Sequence, residues 1–268
     1  MRSYDCIVVG VGAVGSATLS QLAARGARVL GIDRFRPGHN RGSSHGRTRA
    51  IRLAYFEHPD YVPLLRRAFE LWRGLNDRAS APLYVETGIL EAGPEEGELI
   101  PGVLKAADLH SLAIDCLDSA AMKARFGAFR LQPGMRAVFE PIAGYLHVED
   151  CIRHMASEGQ SRGAELALDT VVTHWTYDSC EFLVHSDKES WRTKRLILTQ
   201  GAWATDFLRE QGVQLDVVRK MQLWFRASDN RFSSKQGFVP FAIETGEAEV
   251  FYGFPELDER GVKVAQHT

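Results

Sequence analysis

The sequence predicts an α/β fold in which a parallel βαβ core is interleaved with a second domain built on an antiparallel sheet. Three observations predict it. An apolar, β-branched run at 5–10 is followed by a proline-free helical stretch at 13–25, a stop at Gly26 and a second apolar run at 27–32, which together make a βαβ unit. Gly10-Val11-Gly12-Ala13-Val14-Gly15 fills the turn between the first strand and the helix. After 215, runs of alternating polarity at 216–226, 237–243, 248–254 and 261–266 fit an antiparallel sheet with one covered face.

The elements follow in order. Residues 34–49 are rich in Gly, Ser, His and Arg and read as a functional loop. At 60–75, Leu64, Leu65, Ala68, Leu71, Trp72 and Leu75 form an apolar helical stripe opposite Arg66, Arg67, Glu70 and Arg73. The stretch 82–145 is mixed, with strands expected near 88–92 and 135–139 and a helix at 119–126. A helix is expected at 149–162, then a meander of strands at 164–168, 171–177 and 181–185. A buried strand at 195–199 precedes Gly201-Ala202-Trp203 and a short helix. The segment 262–268 ends inside what reads as a strand, so the chain is expected to be cut short.

Composition narrows the function classes. A length of 268 residues suits one large domain or two intertwined ones. The 45% hydrophobic and 25% charged contents are ordinary for globular proteins and exclude a disordered or collagen-like chain. With 32 basic and 34 acidic residues the net charge is -2, which gives no electrostatic reason to expect nucleic acid or an anionic membrane as partner. No apolar run is long enough to span a bilayer, and Tyr4-Asp5 inside the first apolar run is unlike a signal peptide. Cys6, Cys116, Cys151 and Cys180 lack paired spacing and read as reduced thiols of a cytoplasmic protein, with no metal site expected.

The glycine turn carries the first chemistry. Gly10 permits the tight turn, Gly12 lets the backbone approach a pyrophosphate, and Gly15 allows close helix–strand packing. The helix start at Ala13 and Val14 then offers free N–H groups and the positive end of the helix dipole to phosphates. Asp33, at the end of the second strand, is placed to accept ribose hydroxyls. This is a Rossmann-like dinucleotide fingerprint. Asp33 disfavours a 2′-phosphate, although Arg34 beside it leaves NADP open. The fingerprint does not decide between NAD and FAD. The departure from regular βαβ units into a polar loop and a later meander favours FAD.

Two further groups stand out. In Gly42-Ser43-Ser44-His45-Gly46-Arg47-Thr48-Arg49-Ala50-Ile51-Arg52, Arg49 and Arg52 share a face if the segment is helical. Two guanidinium groups suit a carboxylate or the electron-rich side of a flavin, while a solvated basic turn is the competing reading. Near the end, Lys263 and His267 point to one side of a strand beside the small residues Gly261 and Ala265. By periodicity alone an exposed edge face is the better account of that pair. Tyr252 in Phe251-Tyr252-Gly253-Phe254-Pro255 reads first as core packing.

Taken together, these residues resemble the monomeric sarcosine oxidase family, with the related N-methyltryptophan and pipecolate oxidases, among the D-amino-acid-oxidase-like flavoproteins. The resemblance spans nearly the whole chain. It rests on Gly10 to Gly15 with Asp33, Ser44-His45-Gly46 through Thr48-Arg49 and Arg52, Tyr61-Val62-Pro63-Leu64 leading to Leu71-Trp72, Gly144 to Cys151-Ile152-Arg153, Gly201-Ala202-Trp203, Phe251 to Pro255, and Gly261-Val262-Lys263 with His267. It implies an FAD enzyme that oxidises the C–N bond of a secondary amine bearing a carboxylate, such as sarcosine or another N-alkyl amino acid, and reduces O₂ to hydrogen peroxide. By that resemblance Arg52 pairs with the substrate carboxylate, Arg49 and His45 sit against the flavin, Lys263 activates O₂, and His267 and Tyr252 line the substrate site. The catalytic set is then Lys263, Arg49, His45 and His267. The cofactor set is Gly10, Gly12, Ala13, Val14, Gly15, Asp33, Arg34, Ser44, His45, Thr48, Arg49, Val172, Gly201 and Trp203.

The implied organisation is an FAD-binding domain of 1–85 and 145–215 and a substrate domain of 86–144 and 216–268. Family chains run further, and none of the four cysteines falls where some members attach flavin, so FAD is expected to be non-covalent. A monomer is expected, with a small amine and O₂ as partners. Two alternatives remain at this stage: a related FAD-dependent dehydrogenase with another electron acceptor, and an inactive flavin-binding fragment.

Overall fold

A computed structural model describes residues 1–210 and 212–267. Thr268, the last residue of the expected 216–268 segment, lies outside the described residues. The chain divides into two units, one of residues 1–47 and 147–218 and the other of 48–146 and 219–268. Residues 48–85, expected with the first segment, therefore lie in the second unit. The reason is strand pairing: Thr48–Ile51 joins Gly144–His147 and Tyr84–Glu86 in a three-stranded sheet, and the helix Tyr61–Arg78 contacts Tyr84–Glu86.

In the first unit, Cys6–Val9 and Val29–Ile32 pair in parallel through the helix Ala13–Ala24, as the βαβ reading expects. Leu196–Leu198 adds to the other side of Cys6–Val9, also in parallel. The strand Glu165–Ala167, expected in the meander, pairs in parallel with Val29–Ile32 instead. The meander proper is Val172–Asp178, Glu181–Ser186 and Ser190–Thr193, with Arg2–Tyr4 as a fourth, parallel member. Ile7, Val8, Leu19, Leu30 and Ile32 are fully buried, and each such side chain contributes about 1.5–3 kcal/mol. The helix Val148–Ser161 packs closely on Ala13–Ala24, since Gly159 leaves room for Leu19: a Cβ there would lie 3.1 Å from Leu19 Cδ2.

The second unit is organised around a seven-stranded sheet. Its order is Leu223–Phe225, Val262–His267, Val250–Phe254, Phe241–Glu244, Ile89–Pro94, Met135–Glu140 and Asp115–Leu117. The strands near 88–92 and 135–139 and the later alternating runs all lie here. The run expected at 216–226 is strand only at Leu223–Phe225. The helix Leu99–His110, which contains Pro101 and Gly102, lies in the stretch 82–145 that the sequence leaves mixed. Proline fits the first helical turn, and Gly102 is needed because a Cβ there would collide with the Phe56 backbone. No helix among the described residues is long and apolar enough to cross a membrane.

Candidate active site

The predicted residues fall into two sets, one in each unit. In the first, the glycine turn is shaped by contacts on both sides. Gly10 has φ +96°, and a Cβ on it would meet the Thr199 carbonyl. A Cβ on Gly15 would run into the Gly10 carbonyl, whereas Gly12 faces open space. Thr199 Oγ1 donates to the Gly10 carbonyl at 2.7 Å and so fixes the turn to the strand Leu196–Leu198. Asp33 is 9% exposed, and its carboxylate accepts from Val11 N at 2.6 Å and from Phe35 N at 2.8 Å. Each oxygen retains a further lone pair for a hydroxyl.

A cleft opens at this turn. Gly12, Asp33, Arg34, Val172, Gly201 and Trp203 all line it, so six residues predicted from distant positions meet. Ser44 and His45 do not line it, although the neighbouring Gly42 and Ser43 do. Sequence reasoning missed Phe35, His39 and Gln200 on its wall. Phe35 stands 4.9 Å from the His39 ring and 6.2 Å from Trp203, an aromatic edge suited to a base. Gln200 Oε1 is buried without a hydrogen-bond partner in this wall. An open glycine turn, a ribose acceptor, aromatic walls and an orphaned amide oxygen fit the adenosine and pyrophosphate of a dinucleotide.

The polar loop leaves this unit through a clamp. Glu149, in the first turn of the helix Val148–Ser161, accepts from Gly46 N at 2.9 Å and Arg47 N at 3.1 Å. Arg47 has φ 77° and its carbonyl accepts from Val148 N at 3.1 Å. The segment that follows is the strand Thr48–Ile51, so Arg49 and Arg52 do not share a helical face. An extended strand lets Thr48 and its neighbours pair with Gly144–His147, which a helix would forgo.

The second set gathers in the second unit. Lys263 is 2% exposed in a strand paired on both sides, not on an edge. Its Nζ donates to Thr48 O and lies over the Phe254 ring at 4.8 Å. Arg49 Nη1 donates to the same carbonyl at 2.7 Å. Arg52 stacks over the Tyr55 ring at 4.3 Å, with Glu57 Oε2 3.4 Å from its Nη2 and Glu91 Oε1 3.3 Å from its Nε. His267 Nε2 is 3.5 Å from Glu57 Oε1, and its ring is 5.7 Å from Phe56 and 6.5 Å from Tyr252. Arg52 and His267 are thus joined through Glu57 and Phe56, two residues that the sequence did not single out, and Tyr252 faces the His267 ring. Glu140, 1% exposed, accepts from Leu53 N and Ala54 N and fixes the backbone just after Arg52. Burial pushes its carboxyl up, against the pull of those two amides.

The fold and the cleft define a dinucleotide-binding α/β protein. Residues 5–266 match the family of FAD dependent oxidoreductases called DAO, and the chain belongs to that family. It is 33% identical over 268 residues to monomeric sarcosine oxidase of Bacillus sp. strain B-0618, covering 99% of this chain and 68% of that protein. It is 32% identical to N-methyl-L-tryptophan oxidase of Citrobacter koseri, over 98% of this chain and 70% of that protein. Among solved structures, NikD, an unusual amino acid oxidase, superposes with a TM-score of 0.81 at 26% identity, covering 99% of this chain and 70% of that one. The family is FAD-dependent, so FAD is the cofactor of this chain.

Proposed function

We propose that this chain oxidises the C–N bond of a secondary amine bearing a carboxylate, such as sarcosine or another N-alkyl amino acid, and delivers the electrons to O₂. The observation that carries the reading is the grouping of Arg52, Tyr252 and His267 in one unit with the buried Lys263, in a chain that resembles sarcosine and N-methyltryptophan oxidases. FAD, when bound, supplies the acceptor for a hydride equivalent from the carbon next to nitrogen. Asp33, Val172, Gly201 and Trp203 hold its adenosine end, with the Gly10–Gly15 turn under the pyrophosphate.

Arg52 binds the substrate carboxylate, and the Tyr55 ring beneath the guanidinium limits its rotation. Tyr252, Phe56 and His267 enclose the amine side. Lys263 places a fixed positive charge for the oxygen half of the reaction, where negative charge develops. The balance is one amine, one O₂ and one water giving one dealkylated amine, one aldehyde and one hydrogen peroxide. Residues 1–47 with 147–218 are assigned to FAD, and 48–146 with 219–268 to substrate. FAD is held without a covalent bond, the chain acts as a monomer, and its scattered cysteines suit the cytoplasm.

The test is a peroxide assay on the FAD-loaded protein with a panel of N-alkyl amino acids. One peroxide per amine consumed supports the reading. Flavin reduction without peroxide, with turnover restored by an artificial acceptor, indicates a dehydrogenase instead. No reduction by any member refutes amine oxidation. Acid precipitation that leaves flavin in the pellet refutes the non-covalent assignment.

A further inference from the structure

Three glutamates of the seven-stranded sheet are buried: Glu91, Glu140 and Glu244. Two of them serve the backbone. Glu140 receives Leu53 N and Ala54 N, and Glu244 receives Glu98 N and Leu99 N at the start of the helix Leu99–His110. Glu91 does neither. It sits inside the sheet, opposite Val138 on one side and Ala242 on the other, and is 0% exposed. Among the described residues neither of its carboxyl oxygens makes a hydrogen bond, and its one ion-pair neighbour is Arg52 Nε at 3.3 Å.

A carboxyl group that deep is expensive unless it has a task, because desolvation costs several kcal/mol. We propose that Glu91 is a positioning residue for Arg52: it holds Nε from the buried side, so that the outer edge of the guanidinium is presented to a substrate carboxylate. This rests on the assignment of Arg52 to the substrate carboxylate made above. The two acids on Arg52 are unequal in a way that suits these roles. The Glu57 side chain is 30% exposed and can swing into water when a substrate arrives, whereas that of Glu91 is 1% exposed and has nowhere to go.

The charge state of Glu91 then governs how strongly Arg52 attracts an anion. Burial pushes its carboxyl up to about 8, with Arg52 pulling down and Glu140 and Glu57 adding to the rise. Below that pH the neutral carboxyl packs against Nε at 3.3 Å without cancelling the guanidinium charge. Above it the ionised group competes with the substrate. Carboxylate affinity therefore falls as pH rises through about 8.

The experiment uses the purified chain with carbon- and nitrogen-labelled arginine and acetate as the probe. Binding is read at the Arg52 Cζ and Nε resonances, assigned by their loss in Arg52→Lys. Expected are acetate binding weakened several-fold between pH 7 and pH 9 in the unmodified protein, and no such weakening in Glu91→Gln, which keeps an acceptor oxygen and matches the unmodified protein at pH 7. Glu91→Leu is expected to weaken binding at least fivefold at pH 7 and to shift the Nε resonance. In the FAD-loaded protein the same substitution raises KM for sarcosine with kcat changed less than twofold. If Arg52→Ala removes acetate binding while both Glu91 variants behave as the unmodified protein, the positioning role is overturned and the Arg52 assignment stands. If Arg52→Ala binds acetate normally, both fail. If Glu91→Leu does not fold, the pH comparison with Glu91→Gln decides: equal weakening at pH 9 overturns the proposal.

Discussion

Lys263 Nζ lies 3.1 Å from the Thr48 carbonyl oxygen and 3.2 Å from the Thr48 hydroxyl. The same carbonyl accepts from Arg49, so two cations converge on one residue that is 1% exposed. The Thr48 oxygens and the Phe254 ring surround the ammonium.

Replacing Lys263 by Met removes the charge and keeps the length of the side chain. Reoxidation of reduced flavin by O₂ is expected to slow by about 10²–10³-fold, the usual cost of losing one preorganised electrostatic contact. Stopped-flow mixing of anaerobically reduced protein with oxygenated buffer measures it. An unchanged rate would remove Lys263 from the oxygen step and favour another electron acceptor.

Asp33→Ala tests the adenosine end. The substitution strips the acceptor from Val11 N in the glycine turn and from Phe35 N on the cleft wall, and removes the acceptor proposed for the ribose. Hydrogen bonds to a charged group are worth about 1.5–3 kcal/mol, so FAD affinity is expected to fall by about 10–100-fold. Quenching of flavin fluorescence on titration into the apoprotein reports it. An unaltered dissociation constant would mean the ribose is held elsewhere.

The glycine turn allows a paired comparison. Gly15→Ala places a Cβ against the Gly10 carbonyl, where no side chain can yield, and should cost about 3 kcal/mol and most bound flavin. Gly12→Ala meets nothing in the protein and should leave the melting temperature of the apoprotein nearly unchanged. It should still weaken FAD, because the new methyl stands where the pyrophosphate approaches. Melting curves with and without FAD separate the two effects.

The contrast between these residues explains what could be read from the sequence. The turn, its flanking strands and Asp33 are neighbours in sequence or one βαβ unit apart, and their chemistry is carried by residue type, so they were legible. The conformation at Arg49 and Arg52 stayed open in the sequence because a basic run carries no period, and only pairing with Gly144–His147 makes Thr48–Ile51 a strand. The strand Glu165–Ala167 looked like part of the meander for a similar reason: nothing local says that it pairs with Val29–Ile32. Lys263 looked like an edge residue because Leu223–Phe225, which covers that side, lies far upstream. Glu91 was visible as one acid in Ile89-Leu90-Glu91-Ala92, yet its meaning depends on Arg52 meeting it across the fold.

Glu91 also predicts a slope in stability against pH. Its folded carboxyl is raised to about 8, while an unfolded glutamate titrates at about 4.3. Between those values the folded state keeps a proton that the unfolded chain has released. Stability is then greatest at the acidic end and falls as pH rises, by up to about 1.4 kcal/mol per pH unit for a whole proton, and levels off above about 8. Glu140, also raised by burial, contributes with the same sign, so the isolated effect is read as a difference between variants. Glu91→Gln cannot titrate and lacks this slope. The stability of the unmodified protein minus that of Glu91→Gln should therefore decline by on the order of 2–4 kcal/mol from pH 5 to pH 8. Urea unfolding at pH 5, 6.5 and 8 measures it. A difference that stays flat would mean that Arg52 holds Glu91 ionised throughout, with the ion pair outweighing burial.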